Sequence, residues 1–168
     1  YSDLTFFTNE KGRTLVERFN KILSNNTQYF DVLVGYFRTS GFFQIYESLE
    51  NVDKIRILVG LNVDKQTVEL LNISKDDVIL SNKDVKVSFN ENIKNEMDNS
   101  EDTKSVEEGV IKFIEYIKNG KIEMKIYPNA PIHAKVYIMR KNEEKSEDFG
   151  KVVTGSSNFS HSGLKGNL

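Results

Sequence analysis

The chain contains no cysteine. That excludes a disulfide scaffold and a zinc–thiolate site, and it suits a reducing cytoplasm. Histidine is almost as scarce: His133 and His161 are the only two. Neither has Asp or Glu at ligand spacing, which argues against a metal site. No apolar run approaches the ~20 residues of a membrane-spanning helix. No stretch reads as an interfacial amphipathic helix with a basic face, so no membrane partner is expected. There is no Gly-x-Ser-x-Gly elbow for a serine hydrolase and no phosphate-cradling nucleotide loop. No secretory leader and no internal repeat are visible. The chain begins at Tyr1 without methionine and ends on Gly163-Leu164-Lys165-Gly166-Asn167-Leu168. It therefore reads as an excised piece of a longer protein.

What remains is one domain's worth of chain. A length of 168 residues suffices for a single sizeable core. The formal net charge of -2 argues mildly against a dedicated nucleic-acid binder, but the charge is unevenly spread. Between Glu91 and Glu108, seven acidic residues face two lysines. From Lys112 to Lys151 there are nine Lys or Arg and six Asp or Glu. The second half is locally basic.

Hydrophobic periodicity gives the element order. Leu15, Phe19 and Ile22/Leu23 mark a helix over 11–24. Asp31 to Phe37 is a buried-strand run. Ser40 is placed to cap a helix carrying Phe42, Ile45/Tyr46 and Leu49. Lys54 to Leu61 is the next strand, and Asp64 caps a short helix with Val68 and Leu71. A short strand is expected over 84–89 and a polar loop over 90–104. Ser105-Val106-Glu107-Glu108 reads as a capping box opening a helix with Val110, Phe113/Ile114 and Ile117 inward, closed by Gly120. Strands follow over 122–127, 133–139 and 151–154. Helices alternating with apolar strands predict an α/β domain with a mixed, largely parallel sheet flanked by helices.

The chemistry sits near the C-terminal end of the sequence. His133 and Lys135 are two apart on an expected strand and share one face, with Ala134, Val136 and Ile138 on the other, directed into a core. An imidazole beside an ammonium suits attack on a phosphate, because the ammonium offsets charge building on the oxygens. Gly155-Ser156-Ser157-Asn158 adds hydroxyls, an amide and backbone N–H groups able to hold those oxygens. Gly155 is expected to supply backbone freedom. Arg38, ahead of Thr39-Ser40-Gly41 at a strand-to-helix junction, is a second candidate anion contact, beside the plainer reading of an ordinary turn. His161 reads as a surface-loop residue.

His133-x-Lys135 followed by Gly155-Ser156-x-Asn158 resembles the signature of the phospholipase D superfamily, which cleaves phosphodiesters through a covalent phosphohistidine without a metal ion or other cofactor. The resemblance implies His133 as nucleophile, or as the acid at the leaving oxygen, Lys135 as phosphate clamp, Asn158 as the residue orienting the histidine or holding phosphate, and Ser156 as a donor to a phosphate oxygen. Ser157 falls at the variable position. The full signature has an aspartate five residues after the lysine; here that position is Arg140. Some nuclease members lack it. In nucleases of the family a site glutamate often lies about eleven residues after the motif asparagine, which here falls just past Leu168. The runs Phe6-Phe7-Thr8-Asn9, Val34 to Phe42 and Ile55 to Asn62 are similar to the phospholipase D-like domain at the N-terminus of certain bacterial superfamily II helicases.

The resemblance thus implies a cytoplasmic nuclease domain over residues 1–168, acting on DNA or RNA, DNA above all, with a helicase or restriction-type partner C-terminal to it. The chemistry needs two histidines, and the signature occurs once. A homodimer or a paired domain would complete the site. The runner-up is a non-catalytic module that positions a helicase on nucleic acid, and a lipase ranks third.

Overall fold

The computed structural model describes residues 13–25, 27–75, 103–127, 131–141 and 150–165. Helix α1 spans Leu15–Ser24. Thr14 caps it in a reciprocal box: the Glu17 N–H donates to Thr14 Oγ1 (3.4 Å), and the Thr14 N–H donates to Glu17 Oε2 (3.0 Å). That cap places the start four residues later than the periodicity suggested. Leu15, Phe19 and Leu23 are buried, as the spacing requires.

Strand β1 is Tyr29–Phe37 and β2 is Lys54–Val63. Strands β3 (Ile122–Ile126), β4 (Val136–Arg140) and β5 (Gly150–Thr154) complete one five-stranded sheet in the order β3-β2-β1-β4-β5. The pairs β1–β2 and β2–β3 are parallel, whereas β1–β4 and β4–β5 are antiparallel. Four of the five strands therefore run in one direction, and only β4 opposes them. This is the mixed, largely parallel α/β architecture expected from the sequence.

The core lies on one face of this sheet. Phe30, Val32 and Val34 of β1, Ile55, Ile57 and Val59 of β2, Ile122, Tyr137, Met139 and Val153 all face it. Phe19 packs edge-on against Tyr137 at 4.8 Å. The reading that Val136 and Ile138 enter the core is reversed by the register. Tyr137 lies opposite Val32, and directly opposed residues share a face, so Tyr137 and Met139 go inward. Val136 and Ile138 lie half-buried on the other face, lining a broad hollow with Leu33, Leu58 and Asp31.

Three helical expectations also change. The segment after β1 is not one helix: α2 covers only Thr39–Phe42, and a 3₁₀ turn follows over Tyr46–Leu49. Phe42, Ile45, Tyr46 and Leu49 are still buried. Ser40 is not the cap, because its Oγ accepts the His161 N–H at 3.2 Å instead. Helix α3, Lys65–Lys75, is capped by Asp64, which accepts the Thr67 N–H at 3.0 Å. Its inward face is Thr67, Leu70 and Ser74, while Val68 is exposed and Leu71 only half-buried. Helix α4, Thr103–Lys118, starts before Ser105, so the expected capping box lies within it. Gly120 closes α4 with φ of 76°, a conformation that costs glycine least. Helix α5, His161–Lys165, ends the described chain. The expected strand over 84–89, residues 90–102 of the loop expected over 90–104 and the Phe6–Asn9 run lie outside the described residues; Thr103 and Lys104, expected in that loop, open α4 instead.

Candidate functional site

The carboxyl ends of β1 and β2, the entry to β4 and the exit of β5 meet at one end of the sheet, where open α/β sheets place their ligand sites. Two glycines shape this end. The β1–β2 register shifts between Val34 and Tyr36, and Gly35 and Gly60 lie in the irregular stretch. Beyond it Phe37 is buried and Tyr36 is 45% exposed, the re-aiming of side chains that a bulge provides.

The segment carrying His133 lies across these glycines. The Ile132 N–H donates to the Gly60 carbonyl at 3.3 Å, and the Tyr127 N–H donates to the Val59 carbonyl at 2.9 Å. A methyl group placed on Gly60 would come within 2.3 Å of Ile132 Cβ and 2.5 Å of its carbonyl oxygen. Only glycine allows this crossing. His133, the next residue, is exposed and lies ahead of β4 rather than inside it. The expected strand thus begins three residues later, at Val136, with Ile132 bonded to Gly60 of β2 rather than paired along β1. Ala134 is exposed, contrary to the inward reading.

Lys135 is half-buried, and its ammonium donates to the His133 carbonyl at 2.7 Å. Its own carbonyl accepts the Gly155 N–H at 3.3 Å. The second motif therefore continues the β4–β5 ladder and is brought to the first by backbone pairing.

Asn158 ties this turn to β1: its Oδ1 accepts the Tyr36 N–H at 3.1 Å. A methyl placed on Gly35 would contact both the Ile132 carbonyl oxygen (3.3 Å) and Asn158 Oδ1 (3.6 Å). Ile132, the residue before His133, and Asn158 thus meet over a single glycine. The Tyr137 hydroxyl donates to the Ser157 carbonyl at 2.6 Å from beneath, and burial pushes that phenol well above its usual range. Phe159 stacks on Phe37 at 4.9 Å, and its carbonyl accepts the Arg38 N–H at 2.8 Å. Ser160 Oγ accepts the Gly163 N–H at 3.1 Å, which starts α5.

The remaining candidates fall as follows. Ser156 is exposed on the turn, and Ser157 is half-buried with its carbonyl engaged. Gly155 has no positive φ, and a methyl added there would meet no atom within 4 Å, so backbone freedom is not its reason for being glycine. Its smallness leaves that rim open. Arg38 is exposed at the start of α2, whose single turn is too short to act as an anion-binding helix end. His161 begins a short helix and is half-buried, not a loop residue. Arg140, at the motif aspartate position, is at the far end of β4. It stacks on Tyr29 at 4.4 Å and approaches Asp31 at 3.5 Å.

Sequence reading missed Gly35 and Gly60, Tyr137 and the exposed Tyr36. The signal for the glycines was present: each interrupts an apolar strand run, in Val34-Gly35-Tyr36 and Val59-Gly60-Leu61, the mark of a close backbone approach. Among the described residues no group of three acidic or histidine side chains is placed to hold a metal ion. The chain matches no protein-family model and no curated protein.

Proposed function

We propose that this domain is a phosphodiesterase of the phospholipase D type that cleaves nucleic acid, DNA foremost, through a phosphohistidine. The observation that supports this reading is the meeting of Ile132, the residue before His133, and Asn158 over Gly35. In the proposed first step an imidazole nitrogen of His133 bonds to phosphorus, and the bond to the leaving oxygen breaks. A second imidazole gives its proton to that oxygen. In the second step water attacks phosphorus, the second imidazole takes the water's proton, and the His133–phosphorus bond breaks. Lys135 and the N–H groups of the turn offset charge on the non-bridging oxygens. Asn158 has its amide oxygen committed to Tyr36, which leaves its NH₂ as the donor toward substrate.

The second imidazole is assigned to another copy of the chain, or to a paired domain in a longer protein. One His-x-Lys per chain motivates that assignment. The test is cleavage of a labelled oligonucleotide in excess EDTA, since histidine chemistry needs no Lewis acid. Wild type should cleave and His133→Ala should not. Mixed wild-type and His133→Ala chains should lose more activity than dilution explains. Equal cleavage by His133→Ala would sink the catalytic reading. Nucleic-acid binding without cleavage by wild type would favour the positioning module.

A further inference from the structure

Exposed aromatic surface is confined to one end of the sheet. Among the described residues the large aromatic side chains left exposed are Tyr36 (45%) and Tyr127 (41%). They stand at the carboxyl ends of β1 and β3, on the strands either side of β2, where Ile132 crosses Gly60. Tyr127 follows β3 directly, with its N–H on the Val59 carbonyl at 2.9 Å. We propose that Tyr36 is a stacking platform for an unpaired base, and that the candidate site takes single-stranded nucleic acid. The inference rests on the phosphodiesterase reading for where the neighbouring phosphate lies.

Three observations distinguish Tyr36 from an incidental surface aromatic. The first is the bulge. Alternation buries Phe30, Val32 and Val34, and continued unbroken it would bury Tyr36 as well. The register shift between Val34 and Tyr36 sends Phe37 inward instead and leaves Tyr36 in solvent. The second is the anchor. The Tyr36 N–H donates to Asn158 Oδ1 at 3.1 Å, so the ring is carried on the backbone that holds the motif asparagine. A base joined to a phosphate on the Asn158 NH₂ group arrives beside this ring. The third is the neighbour. Tyr36 is paired with Asn62 of β2, and paired residues share a face. Asn62 is exposed, and its Oδ1 accepts the Val63 N–H at 2.8 Å, which leaves its NH₂ as a donor to a base edge. An aromatic face beside an amide is the chemistry that reads splayed-out bases. A base within a duplex has both faces covered by its neighbours, whereas an unpaired base offers one to a side chain.

The test is fluorescence anisotropy with a short labelled single strand, on a His133→Ala chain so that the strand stays intact. Tyr36→Ala, added to that parent, should bind roughly tenfold more weakly. Tyr36→Phe should bind as the parent does, because the ring face and not the hydroxyl makes the contact. Both should melt with the parent, since the bond to Asn158 comes from the backbone and survives either change. An abasic strand of the same length keeps every phosphate and has no base to stack. It should bind parent and Tyr36→Ala alike, and more weakly than the intact strand binds the parent. A blunt duplex of the same sequence should bind more weakly than the strand and be indifferent to Tyr36→Ala. Equal binding of the intact strand by parent and Tyr36→Ala, an abasic strand that loses as much from Tyr36→Ala as the intact one, a duplex bound as tightly as the strand, or no binding of any strand would each overturn the platform. Cleavage by the wild-type chain in EDTA is scored separately. Cleavage with no effect of Tyr36→Ala on binding would refute the platform and keep the phosphodiesterase reading. A base-dependent Tyr36 effect without cleavage would do the reverse.

Discussion

Gly60→Ala tests the placement of the His133 segment without touching any chemical group. The added methyl would lie 2.3 Å from Ile132 Cβ, 2.5 Å from its carbonyl oxygen and 2.9 Å from its Cα. Two of these three are backbone atoms, so a side-chain rotation cannot clear them. Restoring ordinary van der Waals separation means moving the 131–133 segment by roughly 1 Å. Overpacking of this kind costs about 1–3 kcal/mol. For a chain of this size each kcal/mol lowers the melting temperature by about 2–4 °C, so a fall of roughly 2–12 °C is expected. The His133 imidazole resonances should move with the segment. Under the proposed chemistry a displacement of that size would lower cleavage by about 100-fold. Gly155→Ala is the control, because a methyl there meets no atom within 4 Å. Its stability should stay within about 0.5 kcal/mol of wild type. The readouts are a thermal melt by circular dichroism and the histidine region of a proton NMR spectrum. A Gly60→Ala chain with wild-type melting temperature and unmoved His133 resonances would refute the crossing.

Three further expectations rest on single side-chain contacts. Tyr137→Phe removes the donor to the Ser157 carbonyl, leaves that oxygen unpaired, and should cost about 1–3 kcal/mol with faster amide exchange through the Gly155–Asn158 turn. Asp31 is held below the usual carboxylate range chiefly by the hydrogen bond from Arg56, opposed by burial and helped by the charges of Arg56 and Arg140. Its stabilisation is present above the unfolded carboxyl value and is lost as pH falls through the lower folded value, so Asp31→Asn should melt earlier than wild type at neutral pH and converge with it in strong acid. Asp64→Ala removes the cap of α3 and should cost about 1 kcal/mol in a denaturant melt; an unchanged midpoint would count against the cap.

The extent to which sequence foretold structure follows from which interactions are local. The apolar period placed α1, β1 and β2 within a few residues, because Phe19, Val32 and Ile57 are buried by patterns that repeat along their own element. The caps at Asp64 and Gly120 were legible for the same reason. The faces of β4 were not. Alternation in His133 to Met139 is symmetric in apolar character, with Val136 and Ile138 on one side and Tyr137 and Met139 on the other. Only pairing with Val32 and Phe30 of β1 decides between them, and that pairing spans more than a hundred residues. The helix expected from Ser40 failed similarly: Gly41 is pressed against Phe159 and Ser160, and a methyl there would fall 2.7 Å from the Ser160 N–H nitrogen. The candidate site inherits both cases. The residue types at 133, 135, 156 and 158 are visible in the sequence, while what fixes the backbone around them is not. That work falls to Gly35, Gly60 and Tyr137. None of these bears on phosphate chemistry, and each acts on backbone supplied by a distant part of the chain. A substitution at those three positions should therefore disturb the site's geometry while leaving every group that could do chemistry in place, which makes them the sharpest probes of whether the meeting of Ile132 and Asn158 over Gly35 matters.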